Sequence, residues 1–243
     1  MGKLTVVGIG PGDYENMTVR ADRALRECQV IVGYHVYVDL VKDRYPNKEF
    51  LTTPMTREAD RCRMALDAAR KGKDVAMVCS GDSGIYGMAA LIYELRGEAA
   101  EPEVEVIPGL TAACSGAALL GAPLTHDFAV ISLSDRLTPW EKIETRLEAA
   151  AKADLSIVLY NPASRGRPDY LRRACEILLR TLPEDRPCGI ARNIGREWES
   201  RELMALVQLR DFEADMFCTA FVGNSQTKTI GGQLVTPRGY RDV

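Results

Sequence analysis

Three short glycine-bearing turns carry the residues best placed to do chemistry: Gly8-Ile9-Gly10-Pro11-Gly12-Asp13, Ser80-Gly81-Asp82-Ser83-Gly84-Ile85-Tyr86-Gly87 and Pro108-Gly109-Leu110-Thr111. Each follows a short apolar run, so each is expected at the carboxyl end of a strand, where open α/β sheets take up ligands. The first turn departs from a dinucleotide fingerprint: Asp13 takes the place of the third glycine, and no helix opens directly behind it. It is no phosphate cradle either. Pro11 lacks an N–H, the Asp13 carboxylate would repel phosphate, and no Gly-Lys-Ser or Gly-Lys-Thr follows. The second turn offers flexible backbone and one carboxylate, Asp82, without Lys or Arg. Taken singly, either turn reads equally well as a tight strand-end loop. Together the three suit one shared ligand, uncharged or cationic with polar edges, such as an adenosyl group on a sulfonium.

Other reactive side chains are sparse. His35 and His126 are the two histidines, which excludes a His-rich metal site, and no metal is expected. A Ser-His-Asp triad would have to use one of them. The cysteines at 28, 62, 79, 114, 175, 188 and 218 sit mostly in apolar runs, with no two within four residues. That spacing argues against a zinc knuckle or a Cys-x-x-Cys pair, and for small buried hydrophobes in a reducing compartment.

Positioning these groups falls to an alternation of strands and helices. Strands are expected at 4–9, 30–32, 50–52, 75–79 and 104–107. Between them, Thr18 caps a helix whose inner face is Ala21, Leu25 and Cys28. A second helix from about Thr56 stripes Ala59, Cys62, Leu66 and Ala69, and a third carries Met88, Leu91 and Leu95. The stretch 104–135 is the hinge of the chain. In it Pro108-Gly109 breaks a strand, a small-residue helix LTAACSGAALL ends at Gly121, and a new apolar run begins at Phe128. The small residues allow either tight packing or close approach of a ligand. Beyond the hinge, Thr138-Pro139-Trp140-Glu141 reads as a capping box with Thr138 at the cap. Strands are expected at 155–160 and 188–192, with a helix through Leu171, Ala174, Cys175 and Leu178 between them. The segment 229–236 is expected to pair antiparallel beside the apolar run 216–222. The fold class is therefore α/β: an N-terminal α/β domain over 1–120 with the three turns, and a C-terminal α/β domain over 121–243 with a mixed sheet.

Composition agrees with a soluble globular chain. Its 243 residues are 46% hydrophobic and 27% charged with a net charge of -3, enough for a real core and too acidic overall for a general nucleic-acid or membrane partner. No apolar run approaches a membrane span, and Lys3 leads directly into a strand without a signal-peptide core, so a cytoplasmic location is expected.

The segments VVGIGPGD, SGDSGIYG, IPGLTAA and the Tyr160-Asn161-Pro162 turn resemble the motif set of the tetrapyrrole (corrin/porphyrin) methylases, which methylate corrin and sirohaem precursors with S-adenosylmethionine. The longer runs HDFAVISLSDRLTPWEKIE, LYNPASRGR and VGNSQTKTIGGQLVTPRGY are similar to one branch of that family. This branch methylates C17 of precorrin-3B or cobalt-factor III and contracts the ring in cobalamin biosynthesis. The likeness spans nearly the whole chain. It implies a bilobal fold with S-adenosylmethionine in the cleft between domains, a tetrapyrrole substrate and a homodimer. By position, Gly10 and Pro11 belong to the first cofactor loop, Ser80, Gly81, Asp82, Ile85 and Tyr86 to the second, and Thr111 and Ala112 to the third. Asn161, Asn193 and Ile194 are implied around adenine. Ser83, Tyr34 and Ile194 depart from the uroporphyrinogen-type members, so no catalytic base carries over from them.

Methyl transfer asks mainly for alignment and desolvation. Ring contraction also moves a proton, and His126 and His35 are the candidates for it, with Asp127, Asp135 and Tyr34 behind them. The competing reading of His126 pairs it with Asp127. The carboxylates of such a substrate call for cationic partners, and Arg136, Arg165, Arg167, Arg192, Lys228 and Arg238 lie in or beside the predicted cleft loops. A methylase acting on another corrin carbon or on diphthine, or a non-catalytic tetrapyrrole-binding protein, would share these features. A nicotinamide enzyme fits them least.

Overall fold

The computed structural model describes residues 2–164 and 166–241; Arg165 lies outside them. The chain divides into two compact units, Met1–Thr111 and Ala112–Val243.

The first unit runs β1 (Lys3–Gly8), α1 (Val19–Glu27), β2 (Val30–Tyr34), α2 (His35–Asp39), β3 (Glu49–Thr53), α3 (Glu58–Arg70), β4 (Val75–Cys79), α4 (Ala89–Arg96) and β5 (Glu103–Ile107). Its sheet is parallel throughout, in the order β3-β2-β4-β1-β5. Helices cover both faces, which is why β4 is buried at every position and reads as an unbroken apolar run. On one face Val6, Val32 and Met77 pack against Cys62 and Leu66 of α3 and Ile92 of α4. On the other, Val7, Ile31 and Val78 meet Ala21 and Leu25 of α1. Thr18 caps α1 as expected, its Oγ1 accepting from the Ala21 amide at 3.1 Å. Because β4, β1 and β5 are neighbours, their following turns emerge side by side at one edge.

The second unit begins with α5 (Ala112–Leu120), β6 (Gly121–Ala122), β7 (Phe128–Ser132), α6 (Trp140–Lys152), β8 (Ser156–Tyr160) and α7 (Tyr170–Leu178). It continues with β9 (Pro187–Arg192), β10 (Ser200–Ala205), α8 (Leu206–Arg210), β11 (Cys218–Val222), β12 (Lys228–Ile230) and β13 (Gln233–Val235). The main sheet, β10-β9-β11-β8-β7, is mixed as expected: β7 and β8 are parallel, and every other pair is antiparallel. Ile143, Leu147, Leu171 and Leu178 fill one face, and α5 covers the other through Ala113, Ala117 and Leu120.

Three expectations change. The units part at 111/112 rather than 120/121, because the small-residue helix packs onto the second sheet. A Cβ on Gly116 would stand 2.8 Å from Phe221 Cζ and 3.0 Å from Ile194 Cδ1, so the small residues serve packing. The capping box is absent: Pro139 itself, extended at ψ 143, is the N-cap residue of α6 and has no side-chain cap. The segment 229–236 does not join β11. Gly231 and Gly232, with φ +57 and +73, fold it into its own hairpin, and β13 pairs parallel with β6 in a separate small sheet. The edge strand β10 and the short helices α2 and α8 lack a strong periodic signal and were not expected.

Candidate functional site

In the first unit the three turns do converge. The Gly10 amide donates to Gly81 O at 3.1 Å and the Gly81 amide returns to Gly10 O at 2.7 Å, a backbone bridge between the first and second turns. Both glycines have positive φ, +75 and +69, which side-chain-bearing residues adopt only at a cost. Asp82 ties the second turn to the third. Its Oδ1 accepts from the amides of Gly84 (2.8 Å) and Ile85 (2.9 Å), and its Oδ2 from that of Gly109 (2.9 Å). The buried Ser83 hydroxyl donates to Ile107 O at 2.8 Å. Packing is backbone against backbone: a Cβ on Gly109 would stand 2.2 Å from Gly81 O and 2.6 Å from Gly8 C. Asp82 thus shapes the loops, and Asp13 does the same by accepting from the Asn16 amide at 2.7 Å. Ile85 and Tyr86 are exposed beside them. None of the three turns carries a basic side chain, so the donor set fits a sulfonium-bearing adenosyl group, which would meet peptide edges and no like charge.

Tyr34 closes β2 and His35 opens α2, at the same carboxyl edge of that sheet. Their rings meet edge to face with centroids 4.5 Å apart, and Tyr37 lies 5.2 Å from Tyr34. Thr111 is buried at the end of the third turn, and Ala112 opens α5.

In the second unit the carboxyl ends of β7, β8 and β9 carry a different kind of cluster. Asn161 and Asn193 follow β8 and β9 directly, both left-handed at φ +54 and +52, a conformation asparagine tolerates better than most residues. Asn161 Nδ2 donates to Ser132 Oγ at 2.9 Å, and the Asn193 amide donates to Phe217 O at 3.2 Å. Ile194, in contrast, is a core residue packed with Phe221 and Ala113. Asp135 accepts from the Tyr170 hydroxyl and pairs with Arg167, whose Nη1 lies 3.4 Å from Oδ1. The same Nη1 donates to Ser134 Oγ at 2.6 Å, and Arg167 Nε donates to Ser164 Oγ at 3.2 Å. The Tyr170 hydroxyl first, and the Arg167 charge after it, hold the Asp135 carboxyl below its ordinary value, and the same contact raises the Tyr170 phenol. Asp135 is therefore built to stay ionised and to accept hydrogen bonds, not to donate a proton near neutral pH.

The remaining candidates separate. His126 precedes β7 whereas Asp135 follows it, so the whole strand stands between them. The ring of His126 contacts Pro237 O through Nε2 at 3.0 Å rather than Asp127. Asp127 lends its backbone carbonyl to the Ser156 amide at 3.2 Å. Lys228 and Arg238 are exposed on the hairpin and the segment after it, at the His126 end. Arg136 is exposed beside Asp135. Arg192 is committed to Glu213 O at 3.0 Å and Cys218 Sγ at 3.2 Å. Of the described cations proposed to act together, Arg136, Arg167 and Arg192 thus lie at one end of the main sheet and Lys228 and Arg238 at the other. Sequence reading named Tyr160 only as part of a turn, whereas its hydroxyl accepts from the Ala113 amide at 2.6 Å and so caps α5, and it passed over Ser132, Ser134 and Tyr170. A tyrosine closing an apolar strand was the visible signal for the first; the others are polar residues in ordinary loop or helix-start positions.

The family described as Tetrapyrrole (Corrin/Porphyrin) Methylases matches residues 3–209. The probable cobalt-factor III C(17)-methyltransferase of Salmonella typhimurium (strain LT2) is 46% identical over 239 residues, covering 98% of this chain and 99% of that one. The cobalt-factor III methyltransferase of Priestia megaterium is 44% identical over 245 residues, covering 99% of this chain and 45% of that longer protein. Among solved structures, the methyltransferase CobJ superposes with a TM-score of 0.90 at 37% identity, covering 98% of this chain and 100% of that one.

Proposed function

The chain belongs to the tetrapyrrole (corrin/porphyrin) methylases, and from that membership we propose that it methylates C17 of a cobalt-factor III type tetrapyrrole, with ring contraction, in cobalamin biosynthesis. The observation that carries this reading is the 46% identity to the Salmonella typhimurium protein, which runs the full length of both chains. S-adenosylmethionine supplies an electrophilic methyl group. The chain's own task is alignment and exclusion of water. Gly10, Gly81 and Gly109 bring their peptide groups to one place, and Pro11, Ser80, Ile85, Tyr86, Thr111 and Ala112 flank them. Asn161 and Asn193 offer backbone and amide edges from the second unit.

For the proton step His35 is the better placed of the two histidines, since it opens α2 at the carboxyl edge where the three turns emerge, whereas His126 precedes β7 at the far end of the other sheet. His126→Asn and His35→Asn, compared by pH profile, separate the two. Arg167 with Arg136 on one side, and Lys228 with Arg238 on the other, are the cations offered to substrate carboxylates. We place the enzyme in the cytoplasm as a homodimer, which sedimentation of the purified protein tests. The decisive experiment incubates the protein with S-adenosylmethionine and either cobalt-loaded or metal-free substrate, with the product read by mass and NMR. A C17-methylated, contracted ring from the cobalt substrate is expected, and methylation at any other carbon overturns the reading.

A further inference from the structure

Arg61 is the odd residue of the first unit. It sits on α3, it is 5% exposed, and no carboxylate lies within ion-pair distance of it among the described residues. Its Nε donates to Thr53 Oγ1 at 3.2 Å, and its guanidinium carbon stands 5.8 Å from the centroid of the Tyr34 ring. Those contacts leave the two terminal nitrogens without a hydrogen-bond partner. They are not among the sealed, partnerless atoms of the described residues, which are Arg96 Nε and Arg186 Nε, so they reach solvent. A guanidinium cannot shed its proton, and a largely buried one without a counter-ion is costly unless something meets its charge. The nearby acids are already engaged. Asp60 is held by Arg57 at 2.7 Å and Arg63 at 3.2 Å, and Glu58 accepts from the Thr56 amide at 3.2 Å.

Beside this residue, though not lined by it, lies a recess of about 530 Å³ at the carboxyl end of β3, whose lining includes Thr53, Thr56, Arg57, Met64 and the Asp60 carboxylate already paired with Arg57 and Arg63. Arg61 and Met64 share a face of α3 by their spacing, and Thr53 belongs both to the recess and to the hydrogen bond that holds the guanidinium. Tyr34 is the register partner of Thr53, so the recess adjoins the Tyr34–His35 pair.

Resting on the functional reading above, we propose that Arg61 is a substrate anchor: its planar fork takes one acidic side chain of the tetrapyrrole as a bidentate carboxylate, with Thr53 fixing the fork and the Tyr34 ring flanking it. It is a specificity-determining residue contributed by the first unit and touches no reacting atom. The test measures uroporphyrin III binding by fluorescence titration and S-adenosylhomocysteine binding by calorimetry for wild type, Arg61→Gln and Arg61→Lys. Uroporphyrin affinity falls about tenfold in Arg61→Gln and less in Arg61→Lys, while S-adenosylhomocysteine affinity holds. Should Arg61→Gln not fold, Arg61→Lys, which keeps the charge but not the fork, carries the comparison. Unchanged uroporphyrin affinity in a folded variant, or equal loss of both ligands, overturns the anchor, and so does a wild type that binds no uroporphyrin. A wild type that binds uroporphyrin through Arg61 but transfers no methyl group sinks the functional reading and leaves the anchor standing.

Discussion

The two units solve one problem, how to hold a set of strand-end turns, with different chemistry. In the first, main chain packs on main chain: Gly8, Gly81 and Gly109 approach within distances no Cβ allows, and a carboxylate gathers three amides. In the second, side chains do the holding, through Tyr170, Arg167 and Ser134 around Asp135 and through Asn161 on Ser132. The first arrangement offers peptide edges and no basic side chain. The second keeps ionised and hydroxyl groups at its rim, where a polycarboxylate has something to bind. In the function proposed above, the contrast corresponds to a division of labour in which one edge serves the methyl donor and the other the charged ring.

The sharpest way to break that contrast is Gly109→Ala. It should cost about 3 kcal/mol of stability through overpacking, read by urea denaturation, and abolish S-adenosylhomocysteine binding by calorimetry. A stable, ligand-binding variant would show that the backbone contact is dispensable. Asp82→Ala strands three amides and should cost about 2 kcal/mol, with a parallel loss of S-adenosylhomocysteine affinity. Arg167→Ala tests the other edge. A loss of about 1 kcal/mol in tetrapyrrole binding is expected, with the donor's dissociation constant unmoved; equal loss of both would erase the division.

Tyr170→Phe should cost less still. Asp135 is depressed in the folded state, so the stability it confers is present above its ordinary value of 3.8 and is lost as pH falls through the lowered one. In Tyr170→Phe its titration, followed by carboxyl NMR, moves back up toward 3.8, and part of the stability it confers at neutral pH is lost. The smallest effect is on thiol reactivity. Cys114 is exposed, whereas burial pushes Cys62 up to about 12 and Cys28 and Cys79 to about 11, so a native-state alkylation time course should show one fast thiol.

Much of the first unit was legible because its signals are local. Apolar runs marked β1, β2 and β4, Thr18 marked a cap, and the glycines marked turns. That the turns would meet followed from strand ends alone. Their means of meeting did not, since Asp82 binding Gly109 is a contact between distant residues that no periodicity encodes. In the second unit the packing reading of the small-residue helix holds, but a stripe of Ala and Gly does not say which sheet it packs on, so the boundary was drawn after the helix rather than before it. Sequence reading also grouped His126 with Asp135 as proton-transfer candidates by their chemistry alone. A strand running between them carries their side chains to opposite ends, and loop-borne cations such as Lys228 and Arg167 part in the same way. Arg61 passed unnoticed because an arginine in an amphipathic helix ordinarily points to water.

The stitch between β6 and β13 has a temporal side. Thr236 Oγ1 donates to Pro123 O at 2.7 Å across a separation of 113 residues, and Leu234 is buried beside α5. A ribosome making this chain has emitted every strand of the first unit once Ile107 is out, so that half can close early on a nascent chain. The other half has to wait for residues 234–236, holding the apolar flank of α5 open throughout. During synthesis it is that uncovered flank, and not the glycine turns, that chaperones would be called on to shield.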